Sequence, residues 1–189
     1  MSALEFLSVS AAADGAIAKS SLERAQHDAG ARFEERDGWL VPVAIPGEEE
    51  HLRSVGVADL SHLAKFEVRP ALPSLDGAEG AVHYRISPKR SLVIGGSTRP
   101  EGNLVLDMTG ALGILAVVGR EAETVIRPLT HLHRFPSGGE VAHITAHVLN
   151  PRENTYWIVF PQEYGPYLWE VAVDRARPLG GGPIGVDAL

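Results

Sequence analysis

VADLSHLAKFEVR, residues 57–69, has a counterpart in VLDMTGALGILAVVG, residues 105–119. Both run valine, any residue, aspartate, an apolar residue, then serine or threonine, and both continue into strand-like sequence. Asp, Ser and Thr side chains bond backbone N–H groups one or two residues on, so each Asp-x-Ser/Thr stretch predicts a turn. A turn leading into a strand, met twice in one chain, points to a duplicated unit. Asp59 and Asp107 are therefore read as turn-formers and not as an acid–base pair. Ser61 and His62, adjacent on such a stretch, would face opposite ways on a strand and make no nucleophile–base couple.

Working outward, IAKSSLERAQHDAG predicts a helix with Ser20 or Ser21 as cap, Ala25 and Ala29 on one face and Gly30 as stop. GWLVPVAIP predicts strand, with Pro42 arguing for an edge position. GEEEHLRSVG reads as a short helix, its three glutamates at the positive end of the dipole and Gly56 closing it. PALPSLDGAEGA and GGSTRPEGN are loops, and AVHYRI and RSLVIGG two strands about a Ser87-Pro88 turn. REAETVIRPLTHL predicts a helix that Pro128 ends early. GEVAHITAHVL alternates as one strand, with Ile144 and Val148 on one side and His143, Thr145 and His147 on the other. TYWIVFP is a strand with apolar bulk on both faces, and QEYGPYLWEVAVDRA a final helix with Tyr164, Leu168, Val171 and Ala172 on one face. Strands and helices follow one another without regular βα alternation, so the expected class is α+β.

The chain has 189 residues and a formal net charge of -7, which argues against a nucleic-acid or anionic-membrane surface. With no cysteine, disulfides, thiolate catalysis and Cys-type metal sites are excluded. No Lys or Arg precedes Lys19, while Glu5 and Asp14 are acidic, so the start does not read as a signal peptide. No apolar run reaches the roughly 20 residues that span a bilayer. The expected location is cytoplasmic.

GARFEERDGWLVPVAIPGEEEHLRSVGVADLSHLAKFEV resembles the opening of the glycine cleavage T-protein (aminomethyltransferase) family. The matching positions are Gly30, Ala31, Trp39, Pro42, Glu50, Arg53, Gly56, Val57, Asp59, Leu60, Ser61, His62 and Lys65. The second half is similar to the gamma subunit of heterotetrameric sarcosine oxidase through Asp107, Thr109, Gly119, Leu132, His133, Phe135, Pro136, Gly138, Phe160 and Trp169. The resemblance implies a folate-binding-type α+β fold, duplicated as two subdomains that exchange strands. It sets one domain over residues 21–177, with halves of about 21–100 and 101–177, after a loosely ordered lead-in (1–20) and before a flexible tail (178–189). In the T-protein family the hairpin after the first subdomain helix carries a Gly-x-x-x-Asp-Asp stretch, one Asp of which acts in transfer. Here AHVLNPRENTYW offers Asn150, Arg152, Glu153 and Asn154, and Ala64 and Pro70 replace common glycines.

The resemblance therefore implies a non-catalytic, gamma-like accessory subunit of a tetrahydrofolate-linked amine-demethylating complex. It would bind no cofactor tightly and pack on a larger oxidase subunit that holds flavin and folate. The alternative is a minimal tetrahydrofolate-dependent aminomethyltransferase with Glu153 as its acid and Tyr156, Trp157 and Tyr164 stacking on the pterin. Core or interface is the plainer role for those aromatics. A second alternative is a metal site, because His131-x-His133 and His143-x-x-x-His147 would each put two imidazoles on one strand face. Exposed or interface histidines are the plainer reading. Aromatic and Arg residues concentrate between Phe135 and Arg177, and this predicts an interface and a homodimer when the chain is isolated.

Overall fold

The computed structural model describes residues 15–70, 80–96 and 98–189. The first seven elements are β1 (Ala18–Lys19), α1 (Glu23–Asp28), β2 (Arg32–Arg36), β3 (Trp39–Ala44), α2 (Glu48–Leu52), β4 (Gly56–Asp59) and β5 (Lys65–Arg69). There follow β6 (Ala81–Ser87), β7 (Arg90–Gly95), β8 (Leu104–Asp107), β9 (Leu112–Val118) and α3 (Ala122–Ile126). The last are β10 (Ser137–Val141), β11 (Ile144–Arg152), β12 (Thr155–Pro161), α4 (Gly165–Ala176) and β13 (Gly182–Pro183). The class is α+β, with three sheets: β1-β3-β2, β10-β11-β12-β9-β4-β13 and β6-β7-β5-β8.

β9 explains the layering. Its residues are apolar without a break, and they divide strictly between two cores. Leu115 and Val117 join α3 and α4 on one face of the six-stranded sheet. Ile114 and Ala116 join Leu92 and Ile94 of the four-stranded sheet on the other. A strand buried on both faces needs such a continuous run, since a polar residue on either side would lose its water. β12 splits in the same way, sending Ile158 to the helical side and Val159 to the other.

The two Asp-x-Ser/Thr stretches are the crossings between these sheets. β4 lies in the six-stranded sheet and β5 in the four-stranded one; β8 and β9 make the reverse passage. β4 pairs antiparallel with β9, and β5 antiparallel with β8.

Several local expectations change. The first helix is confined to α1, because Ala18 and Lys19 pair with Trp39 and Leu40. β3 is the middle strand of its sheet, yet Pro42 is tolerated because β1 reaches only Trp39 and Leu40. Gly56 begins β4 and does not close α2. The stretch read as one strand through His143 is a hairpin, β10 to β11, turning at Ala142 and His143 with φ of 47° and 66°. Two central residues at positive φ make the tight turn whose twist suits antiparallel strands, usually signalled by Asn-Gly. Pro128 does end α3, in a 3-10 turn at Arg127–Leu129.

The tail expected to be flexible is packed. β13 runs parallel to β4, Ile184 is fully buried, and Glu48 Oε2 accepts from both Ile45 N and Gly185 N at 2.9 Å. Burying Ile184 removes its side chain from water, which contributes on the order of 2 kcal/mol. Of the lead-in, residues 1–14 lie outside the described residues, as do 71–79 of the first loop and Ser97 of the second.

Candidate functional site

The chemistry-bearing groups of the first crossing converge on Asp59, which is 2% exposed. Asp59 Oδ1 accepts from Ser61 N at 2.8 Å, closing the expected turn. Asp59 Oδ2 accepts from Gln26 Nε2 at 2.8 Å, and Gln26 is wholly buried on α1. Ser61 Oγ accepts from Ile114 N at 3.1 Å. That hydroxyl builds the junction with β9, and among the described residues no histidine hydrogen-bonds to it. Lys65 is fully buried, and its Nζ donates to Ser61 O at 2.8 Å and Leu63 O at 2.7 Å. Burial pushes the Lys65 ammonium down to about 8, against the opposing pull of the Asp59 and Asp107 carboxylates.

The second crossing repeats the backbone pattern. Asp107 Oδ1 accepts from Thr109 N at 2.9 Å, and Thr109 Oγ1 accepts from Lys65 N at 3.0 Å. Leu60 N donates to Ile114 O at 2.9 Å and Met108 N to Lys65 O at 2.8 Å. Each turn thus supplies a hydroxyl acceptor and an N–H donor to one residue beside the other crossing, Ile114 in one direction and Lys65 in the other.

Above the crossings opens a cleft of about 620 Å³ whose walls include Arg36, Asp37, Trp39, His62, Gly96 and Thr109. The β2–β3 hairpin brings the first three, and Gly38 at φ 75° lets the chain reverse between them. Burial pushes the His62 imidazole down, against the pull of the Asp59 carboxylate and with help from Lys65 and Arg36, which favours its neutral form. Arg36 is committed to Asp187 and Glu34. The cleft offers a half-buried indole and a neutral imidazole, features that suit binding. Among the described residues its lining includes no serine or cysteine, and the Thr109 hydroxyl there accepts from Lys65 N.

The other candidates lie apart from this cleft. Tyr156 and Trp157, adjacent on β12, face opposite cores. The Tyr156 ring meets Phe135 edge-on at 5.6 Å, while Trp157 packs on the four-stranded side. Tyr164 is 44% exposed ahead of α4. The three do not share one pterin-sized surface, because alternation along a strand separates neighbours. Glu153 is exposed in the β11–β12 turn, where its carbonyl accepts from Thr155 Oγ1 at 3.3 Å. Asn150 builds that turn, its Nδ2 donating to Arg152 O and Thr155 O.

The histidines also diverge. His131 and His143 line one groove with Tyr167 and Arg175, beside α4. His147 faces the four-stranded sheet, with Nδ1 3.2 Å from the Tyr84 hydroxyl. Among the described residues no three His, Asp or Glu side chains gather as a metal site would require. The turn at Ala142 and His143 is the cause, since it takes His143 off the strand that carries His147.

Sequence reasoning passed over Gln26 and the burial of Lys65. Gln26 was legible: it falls four residues after Leu22, on the face that Ala25 and Ala29 mark. The depth of Lys65 was not, because a lysine after a turn ordinarily reaches water.

Neither a protein-family signature nor a curated protein sequence matches the chain. Solved structures do. A chain of the heterotetrameric sarcosine oxidase from Corynebacterium sp. U-96, in complex with pyrrole 2-carboxylate, matches at TM-score 0.64 and 12% identity, over 86% of this chain and 96% of that one. The glycine cleavage system aminomethyltransferase T from Bartonella henselae matches at TM-score 0.65 and 16% identity, over 91% of this chain. The match spans 60% of the length of that aminomethyltransferase. The resemblance read from the sequence therefore holds at the level of the fold. No described helix is long and apolar enough to cross a membrane.

Proposed function

We propose that this chain is a non-catalytic, gamma-like accessory subunit of a sarcosine-oxidase-type complex that demethylates an amine in a tetrahydrofolate-linked reaction in the cytoplasm. The observation that carries the reading is the extent of the likeness: 96% of one chain of the sarcosine oxidase, against 60% of the aminomethyltransferase. The hairpin supports it, because Glu153, the acid offered there for transfer chemistry, is exposed in the turn. The role is structural: the module packs on a larger subunit that carries flavin and folate, and binds no cofactor tightly itself. Tyr164 and Tyr167, each 44% exposed and three residues apart at the start of α4, suit the centre of that interface. In isolation the same surface pairs two copies. The reciprocal bonds of the two crossings also support a duplicated, strand-exchanged origin for the fold.

Co-expression with the flavin-binding subunits of a sarcosine-oxidase-type enzyme tests this reading. The expected result is a stoichiometric complex in size-exclusion chromatography that carries flavin absorbance, with Tyr167→Glu weakening association while circular dichroism stays unchanged. A chain that stays monomeric beside those subunits overturns it. Tight binding of tetrahydrofolate by the isolated chain in calorimetry, lost in Glu153→Gln, would establish the transferase reading instead.

A further inference from the structure

One end of the four-stranded sheet carries more positive charge than its packing requires. Glu67 of β5 is 4% exposed, and its carboxylate accepts from both Arg69 and Arg90. The Arg90 bond, with that of Arg69, holds the Glu67 carboxyl below the ordinary carboxylate range against the push of burial. A buried carboxylate needs one cation to balance it, and this one has two. Two guanidiniums against one carboxylate leave a surplus of one positive charge.

The register puts these side chains on one face. Glu67 and Arg69 are two apart on β5, and Arg90 is two before Leu92, which lies directly opposite Glu67. Val68 pairs with Ser91, so the next step of the register sets Arg69 beside Arg90. On its other side Arg69 lies opposite Leu104 of β8. The row across β7, β5 and β8 thus reads arginine, arginine, leucine. Leu92 belongs to the core between the sheets, so the row stands at the rim of that core. The charge of Arg90 accordingly reaches β11, where it adds to burial in pushing the His147 imidazole down.

Like charges on neighbouring strands destabilise a sheet, and a single arginine would neutralise Glu67 without that conflict. Both guanidiniums stay near water, with 46% of the Arg69 side chain and 45% of the Arg90 side chain exposed. Arg69 engages Glu67 through Nε and one terminal nitrogen, and Arg90 through one terminal nitrogen. Among the described residues their remaining donors have no acceptor, and no second carboxylate pairs with either. Forks already fixed by a buried carboxylate lose little further freedom when a second carboxylate arrives. Leu104, 45% exposed, leaves an apolar surface at the end of the row.

We propose that Arg69 and Arg90 are a docking socket for a carboxylate side chain on an acidic segment of a protein partner, with Leu104 receiving an apolar residue beside it. Charge complementarity selects the acid, and the exposed leucine selects a peptide segment over a free ion, which makes no use of it. The larger subunit is the owner of that segment, an assignment that rests on the accessory-subunit reading. The socket is separate from the exposed tyrosines, because α4 packs on the opposite face of the six-stranded sheet.

Two measurements test the socket. In the complex with the flavin-binding subunits of a sarcosine-oxidase-type enzyme, Arg69→Gln should raise the dissociation constant about tenfold, the scale of one charge-assisted hydrogen bond. Added sodium chloride should weaken the wild-type complex more than the variant complex. Separately, the ¹⁵N-labelled full chain alone is titrated with the peptide acetyl-Leu-Glu-Glu-Leu-amide, with its Gln-for-Glu counterpart and with sodium acetate, at matched ionic strength. The acidic peptide should give saturable shifts at Arg69, Arg90 and Leu104, about tenfold weaker in Arg69→Gln. Arg90 remains to balance Glu67 in that variant, so its thermal midpoint should stay within about 3 °C of wild type. Glu67→Gln frees both guanidiniums and should tighten peptide binding severalfold, whereas a trio that serves stability alone gives no such gain. If Glu67→Gln does not fold, Arg69→Gln decides. A complex that forms equally well with Arg69→Gln overturns the socket and leaves the accessory-subunit reading standing. Failure of the wild-type chain to form any complex removes that reading instead, and the peptide titration then decides the socket by itself. Absence of saturable shifts, equal shifts with the Gln peptide or with acetate, or unchanged affinity in Arg69→Gln overturns it.

Discussion

Asp59 and Asp107 stand at the ends of β4 and β8, and each accepts the backbone N–H two residues on. Around that shared turn the two crossings differ. Asp59 is buried and also bound by Gln26, whereas Asp107 is exposed. β4 lies between β9 and β13, while among the described residues β8 is the edge of its sheet and pairs with β5 alone. The hydroxyls do matching work, and the carboxylates do not. One turn motif can therefore be a buried keystone or a surface cap, according to what the rest of the chain lays over it.

The sharpest break in that comparison is Asp59→Ala against Asp107→Ala. Removing Asp59 leaves the Gln26 amide unpaired in the core and deprives the Lys65 ammonium of its nearest compensation. The expected loss is about 3–5 kcal/mol by urea unfolding. Removing Asp107 breaks a solvent-exposed turn bond, with an expected loss of about 0.5 kcal/mol. Equal losses would show that burial does not separate the two.

Next in size is the covering of β4. Ile184→Ala should cost about 2–4 kcal/mol, because the cavity it leaves lies among closely packed residues of the second core. Leu104→Ala on β8, where the side chain is 45% exposed, should change stability by less than about 0.5 kcal/mol. Amide exchange of Ile184, which donates to Val57 O at 2.9 Å, gives an independent check, since a loose tail would exchange it at once.

Lys65 gives a pH signature that belongs to the buried crossing alone. Its folded value of about 8 lies below the ordinary 10.5. Between the two the unfolded chain holds a proton that the folded chain has released, so stability rises with pH. Below about 8 both states are charged and the burial cost stands in full. From pH 7.5 to 9.5 the gain should be on the order of 2 kcal/mol, and Lys65→Met should abolish it. Tyr84 and Tyr156, pushed up by burial, work in the opposite sense only as the pH nears the ordinary phenol value of about 10. A flat wild-type profile would mean that Lys65 finds water.

The smallest effect probes what the crossings share. Ser61→Ala and Thr109→Val each remove one hydroxyl acceptor from a backbone N–H, Ile114 N or Lys65 N. Each should cost about 1 kcal/mol, with the Ser61 variant somewhat the worse because Ser61 is 5% exposed. A difference beyond about 2 kcal/mol would break the equivalence of the two junctions.

Legibility followed the range of the interaction. The Asp turns, the Pro128 stop and the doubly buried run of β12 could be read from neighbours in the chain. The turn at Ala142 and His143 could not, because neither residue signals positive φ; the pairing of β10 with β11 imposes it. That turn dispersed the histidines expected to share a strand face. Alternation along β12 likewise dispersed Tyr156 and Trp157, a separation the sequence already contained but which clustering in composition obscured.

The sequence by itself determined the α+β class, the two turns and the apolar strands, because each rests on a side chain and the backbone within a few residues of it. Only the tertiary structure decided which aspartate is buried, that Lys65 lies in the core, and that the tail closes over β4. It also set His147 against Tyr84. Those outcomes depend on pairs such as Gln26 with Asp59, 33 residues apart, and His147 with Tyr84, 63 apart. No local pattern encodes such distances; the packing of one sheet on another does.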